Sequence, residues 1–381
     1  MLKRFATTIA AGAVVSAMSA SAFAYQTKAP EAPKTAIKTT TVVEGLDSPW
    51  AMAFLGDGRI AVTEKPGRLR IVSADGTLSD PVGGLPRIAE VGQGGLLDVE
   101  PGPDFATSGM IYLSFAQARD GGVATAAARG RLVRSGDGYT LENVETIFQQ
   151  QPALGGGRHF GSRLVFAPDG KLFITTGDRG ERSRAQDTSN TIAKVIRVNP
   201  DGSVPDDNPF VGRDGYLPEI FSIGHRNAQG AAINPATGEL WTVEHGARGG
   251  DEINVPKAGR NYGWPVISYG RHYSGRKIGD GQAKAGLEQP LYYWDPSIAP
   301  SGMAFYQGDL FPEWRNSVFV GALKSRMLVR LEISDGKIVA RERLLTNLGS
   351  RIRAVEVGPD GAVYVVTDSS DGKIVKIEPA S

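Results

Sequence analysis

One phrase, repeated with variations, limits the fold of this chain more than any other feature. FLGDGRIAVTE (54–64), FAPDGKLFITTGD (166–178) and VGPDGAVYVVTD (357–368) each read as an apolar residue, a tight turn and an alternating apolar run. INPATGELWTVEHG (233–246) adds one residue to the turn, and VEPGPDFATSGMIYLSFA (99–116) and FYQGDLFPEWRNSVFVGAL (305–323) enlarge it. Asp-Gly and Pro-Asp-Gly supply the positive φ and preset geometry of a hairpin turn, and the flanking Val, Ile, Phe and Tyr suit a pleated surface. Anchored on their turns, the copies lie roughly 45–75 residues apart, room for a four-stranded antiparallel blade and its loops. SNTIAKVIRV (189–198) fits a helix or a strand; no other stretch sustains an apolar helical period. Six copies predict an all-β, six-bladed β-propeller, closed radially so that only short edges remain. A pair of large β-sandwiches would tolerate the unequal loops but gives no reason for a sixfold phrase.

The N-terminal end reads differently. MLKRF is a basic start, ATTIAAGAVVSAMSA a short apolar run and Ala22-Phe23-Ala24 a small-x-small cleavage site, so residues 1–24 are expected to be a signal peptide that directs the chain to the periplasm or outside the cell. The run falls short of the ~20 apolar residues of a membrane span, and nothing later is long and apolar enough. YQTKAPEAPKTAIK (25–38) has the composition of a solvated linker, which leaves 39–381 as the propeller domain. The absence of cysteine excludes thiolate catalysis, Cys-ligated zinc and covalent haem attachment, and a large core needs no disulfide staple. Forty-two basic against forty-one acidic residues argue against nucleic acid as a partner.

Propellers carry their sites on loops at one end of the central channel. The segments flanking the phrases include GQGGLLD (92–98), RHFGSRL (158–164), TGDRGER (176–182), GHRNAQG (224–230), ALKSRM (322–327) and GSRIRAV (349–355). They are expected to converge Gln93, His159, Asp178, Arg226, Asn227, Lys324, Arg351 and Arg353 on one mouth. Four cations gathered on a net-neutral protein suit a ligand with several carboxylates or phosphates, since arginine binds such groups bidentately. His159 opens the hairpin that Asp178 closes, so the two should share one end of a blade. An Asp that accepts from one ring nitrogen leaves the other free as a general base. EHGARGGDEIN (244–254) offers hard oxygen ligands on a glycine-rich loop, a composition suited to calcium.

Taken in order, GQGGLLDV, HFGSRL, GDRG, GHRNAQG, EHGARGGDEIN with NYGWP (261–265), ALKSR and SRIRAV resemble the soluble quinoprotein sugar dehydrogenases, nearest their periplasmic aldose sugar dehydrogenase branch. The resemblance spans roughly residues 40–380. It implies oxidation of an aldose sugar at C1 by pyrroloquinoline quinone (PQQ), a flat tricarboxylate, with electrons leaving to an external acceptor. Lys324, Arg351 and Arg353 would hold carboxylates, with Gln93, His159, Arg226 and Asn227 completing the pocket. The counterpart of His159 takes the C1 hydroxyl proton, that of Asp178 orients it, and Arg226 stabilises charge on the quinone oxygen. Calcium would take the carbonyls of Gly246 and Ala247, and a second calcium would fall near Glu252 and Tyr262. Trp294 would stack on sugar or cofactor. Alanine stands at 228 and 247 where family members often have proline. The chain also lacks some longer loops of the glucose-specific enzymes, so broad aldose specificity is expected. A calcium-dependent lactonase and a non-enzymatic interaction module are the competing functions for such a propeller.

Overall fold

A computed structural model describes residues 28–380; the expected signal peptide lies outside them. After β1 (Ile37–Leu46), the chain lays down one blade after another, each from the inside outward. The first holds β2 (Pro49–Phe54), β3 (Ile60–Glu64) and β4 (Arg68–Val72). The second holds β5 (Leu96–Pro101), β6 (Met110–Arg119), β7 (Gly122–Ser135) and β8 (Gly138–Gln149). The third holds β9 (Gly161–Phe166), β10 (Leu172–Thr176), β11 (Lys194–Val198) and β12 (Ile220–Ile223). The fourth holds β13 (Ala228–Ile233), β14 (Leu240–Glu244), β15 (Asp251–Asn254) and β16 (Tyr292–Trp294). The fifth holds β17 (Pro300–Phe305), β18 (Ser317–Ala322), β19 (Met327–Ser334) and β20 (Lys337–Leu344). In the sixth, β21 (Ile352–Val357), β22 (Val363–Thr367) and β23 (Gly372–Pro379) receive β1 as their outer strand, from Ile37 opposite Pro379 to Leu46 opposite Gly372.

All six sequence phrases are the inner hairpins of these blades, and the ambiguous stretch 189–198 contains strand β11. The first blade departs from the pattern: in place of a regular fourth strand, Ser79 and Val82 donate to the carbonyls of Ile71 and Leu69. The inner strands β2, β5, β9, β13, β17 and β21 each touch the next, and β21 returns to β2. Every junction between neighbouring blades has its own apolar cluster, from Leu69, Ile71 and Phe115 at the first to Met52, Val62 and Val366 at the last. Strands β3, β10, β14, β18 and β22 are buried along their whole length, because a blade covers each face. That is why they read as near-continuous apolar runs.

Arg163 ties four blades together across the channel. Its guanidinium donates to Asp98 Oδ1 (2.6 Å) and to Gln229 O (3.1 and 3.2 Å), and it lies 4.5 Å from the Trp50 ring centre. Asp98 Oδ2 accepts from Leu164 N (2.7 Å), so this buried pair is hydrogen-bonded on both sides.

The stretch expected to be a solvated linker is partly docked. Ala32 N donates to Arg341 O (2.7 Å), Arg341 N donates to Pro30 O (2.9 Å), and Glu31 pairs with Arg341 (2.8 Å). Ala29 is buried in the cluster between the fourth and fifth blades. The reason is the open edge of β20, whose unpaired backbone groups accept a short strap. Thr35 continues the strap, its hydroxyl and amide both donating to the Glu342 carboxylate. Glu342 also accepts from Arg330 Nε (2.9 Å), and both side chains are almost wholly buried. Glu342→Ala should leave the buried Arg330 charge with only Glu332, 3.9 Å away, as a counter-ion and cost about 3–5 kcal/mol of stability, measurable as a lowered urea midpoint.

Candidate active site

Four blades end their second strand, or the turn just after it, with an acid: Glu64, Asp178, Glu244 and Asp368. Antiparallel pairing sets that position beside the segment entering the inner strand, and each acid grips it. Glu64 accepts from Asp47 N (2.6 Å), Glu244 from Arg226 N (2.6 Å), and Asp368 from Arg351 and Arg353 (2.8 and 3.0 Å). Asp178 takes the His159 side chain. These contacts carry the loops to one end of the channel.

His159 sits at φ +58, a conformation unfavourable for a side-chain-bearing residue, so the surroundings must hold it there. Its backbone N–H donates to Gln93 Oε1 (2.8 Å), and a Cβ on Gly177 would stand 2.0 Å from its carbonyl oxygen. Nδ1 lies 2.6 Å from Asp178 Oδ1. Asp178 also accepts from Gly180 N (2.8 Å) and, through Oδ2, from Trp264 Nε1 (2.9 Å). Burial works to raise the Asp178 carboxyl, but His159, Arg226 and the Gly180 N–H together hold it below its usual value. An ionised Asp178 only accepts, so Nδ1 carries the proton and Nε2 keeps its lone pair. Burial holds the imidazole below its ordinary value; the Asp178 bond opposes that shift and Arg226 adds to it.

Next to this pair is a cavity of about 290 Å³, lined among others by Trp50, Lys65, Gln93, Gln229, His245, Arg351 and Arg353. Arg351 Nε and Arg353 Nη2 share a single acceptor, Asp368 Oδ2, so two cations face one acid. Arg353 Nε and Arg226 Nε are buried with no hydrogen-bond partner among the described residues. Arg226 otherwise donates to His245 O (3.0 Å) and lies 5.2 Å from the Trp264 ring centre. Burial pulls both guanidinium groups below the usual arginine range. Unsatisfied buried donors of this kind favour an anionic ligand over an empty mouth.

Of the expected residues, Gln93, Arg351 and Arg353 line this cavity, and Gln93 joins it to His159; Arg226 lines the neighbouring space beside Trp264. Asn227, buried, accepts from Gly161 N (3.0 Å) and fixes the segment after His159. Lys324 does not line the cavity; it is exposed, its backbone N–H donates to Ile298 O (3.0 Å), and its neighbour Leu323 reaches the wall. Trp294 is not a stacking platform: it is 5% exposed, in the core between the fourth and fifth blades, edge-on to Tyr292. The pleat of β16 turns it inward, opposite Asp251.

The loop 244–254 also differs in detail. Glu244 is occupied by His225, Arg226 and Asn254, and Asp251 by the backbone N–H groups of Gly246, Ile298 and Ala299 and the Ser297 hydroxyl. Asp251 thereby fixes the loop that presents the Gly246 and Ala247 carbonyls. Glu252 and Tyr262 line an enclosed space of about 20 Å³, next to the orphaned Asn254 Oδ1. Burial and the Glu244 charge push the Glu252 carboxyl up to about 8.

Trp264, Gln229, Lys65 and Asp368 were not singled out in the sequence; His245, in the EHG turn, is not expected to transfer protons. His245 donates from Nε2 to Pro300 O (2.6 Å), and burial beside Arg226 and Arg353 drops its pKa to about 3, so it stays neutral. Asp368 had a legible signal: VTD ends its phrase as TTGD ends the phrase of Asp178.

Comparison with known proteins places the chain in a family. The glucose/sorbosone dehydrogenase family profile matches residues 46–376. Aldose sugar dehydrogenase YliI of Escherichia coli (strain K12) is 46% identical over 347 residues, which cover 90% of this chain and 93% of that one. A solved glucose dehydrogenase superimposes with a TM-score of 0.88 at 49% identity, over 90% of this chain and 100% of its own. The PQQ-bound form of an aldose sugar dehydrogenase from Streptomyces coelicolor gives a TM-score of 0.73 at 27% identity, over 91% and 100%. By profile, by sequence and by fold, this chain belongs to the glucose/sorbosone dehydrogenase family.

Proposed function

We propose that this protein oxidises aldose sugars at C1 to the lactone, with PQQ as its cofactor and an external electron acceptor, after export to the periplasm or beyond. The observation that carries the proposal is the juxtaposition of the His159–Asp178 pair with two buried arginines whose Nε atoms lack partners.

The cavity suits a flat tricarboxylate. Arg351 and Arg353, short of acid, and Arg226 with its free Nε offer donors to carboxylate and carbonyl oxygens; Gln93 and Asn227 hold the wall that carries His159. Lys324, exposed next to the wall residue Leu323, adds a charge outside the cavity. When bound, PQQ supplies a two-electron acceptor for the hydride leaving C1, and calcium supplies Lewis-acid polarisation of its carbonyl. His159 Nε2 receives the C1 hydroxyl proton as the C1–O bond becomes a carbonyl. Asp178 holds the tautomer and stabilises the imidazolium that results, and Trp264 keeps Asp178 in line. The low pKa of His159 keeps it neutral, and so ready, into mildly acidic solution.

For calcium, the donor chemistry fits at two places. The Gly246 and Ala247 carbonyls are hard donors on a loop fixed by Asp251. Around Glu252, Tyr262 and the orphaned Asn254 Oδ1, the enclosed space is of the size of a single water or ion.

Dye-linked assays should show sugar oxidation that requires added PQQ and calcium and is lost in His159→Ala; unchanged turnover in that variant would overturn the role of His159. Asp178→Asn should reduce kcat by about 10²–10⁴. It should also move the acid limb of the kcat/KM profile to lower pH, because the bond that raises the His159 pKa is weakened. Calcium should raise the Tm of the wild type, and Glu252→Gln should lose most of that rise; an equal rise in both would place the ion elsewhere.

A further inference from the structure

The chain between β15 and β16, residues 255–291, makes a long excursion beside the mouth. Within it Arg271 pairs with Lys277 across a tight turn, His272 N donating to Arg276 O (2.8 Å) and Gly275 N to His272 O (2.8 Å). Its tip carries Tyr273, 77% exposed, against 44% for Val211, the next most exposed large apolar side chain among the described residues. A large aromatic ring held so far out of any packing is a surface for something else.

The tip is firmly rooted beside the site. Arg271 and Arg248 exchange both backbone hydrogen bonds (3.0 and 3.1 Å), joining the hairpin to the Gly246–Ala247 loop. Ile278, 1% exposed, packs with Trp264, Ala185 and Ile192, and Trp264 is the donor to Asp178. Arg182, in the turn after Asp178, comes within 3.2 Å of His272 Nε2. The hairpin therefore touches both the Gly246–Ala247 loop and the turn after Asp178.

We propose that Tyr273 is the platform of an outer sugar subsite, on which the second ring of a reducing oligosaccharide stacks while its reducing end is presented to His159. This inference rests on the function proposed above. A pyranose has an apolar C–H face and a polar rim of hydroxyls, and tyrosine matches the first with its ring and the second with its phenol. Exposed Arg276 and the Arg182–His272 pair add donors around the tip. The second ring of an oligosaccharide would add this contact to those of the first, so the subsite would select by chain length.

The test compares kcat/KM for maltose and for glucose in the PQQ- and calcium-loaded enzyme. Tyr273→Ala should lower the maltose-to-glucose ratio about five- to tenfold, through KM for maltose, and Tyr273→Phe should restore it to within about twofold. An unchanged ratio in Tyr273→Ala, or an equal loss on both sugars, would overturn the subsite while leaving the dehydrogenase reading in place. No turnover of either sugar by the wild type would overturn that reading, and the subsite with it.

Discussion

A carboxylate at the end of the second strand, gripping the segment that enters the first, is the contact on which both fold and site depend. In the first blade it is purely architectural: Glu64 holds Asp47 N and Arg68. In the fourth, Glu244 holds Arg226 by its backbone and leaves the guanidinium free to turn to the channel. In the third and sixth, the same geometry grips functional side chains directly, His159 by Asp178 and Arg351 with Arg353 by Asp368. One structural position thus serves as a clamp or as a tuning group, depending on what the preceding loop places against it. The site is a specialisation of the contact that builds the blade.

The electrostatics follow from burial. Arg226 and Arg353 are driven down by desolvation, and neither has its full set of acceptors. A protein that keeps unsatisfied guanidinium donors in its channel holds the donors already oriented for an incoming anion, so little reorganisation is needed on binding. His159 and His245 are both lowered chiefly by burial; His245, more deeply buried and also beside Arg353, goes further, and only His159 has a carboxylate that opposes the shift.

The six inner hairpins were legible because turn chemistry and apolar alternation are local, and the convergence of Gln93, His159, Asp178, Arg226, Asn227, Arg351 and Arg353 followed from where the phrases begin and end. What escaped was long-range. The strap at 29–35 looks solvated by composition, yet the open edge of β20, some three hundred residues away, gives it a partner. Trp294 lies beyond a long irregular excursion, and a shift of one residue across it reverses which face of the pleat a side chain takes. Trp264 was part of a quoted motif, but its bond to Asp178 joins residues 86 positions apart and leaves no trace in spacing.

The closure of the ring by β1 and β23 has a kinetic corollary. Residues 37–46 have no blade of their own and must wait for residues 372–379 before their backbone groups are paired. Successive blades add nearest-neighbour contacts as they emerge, but the final seam is a contact of the highest sequence separation in the molecule and sets a late, slow step. The first strand therefore cannot commit until the last has been made.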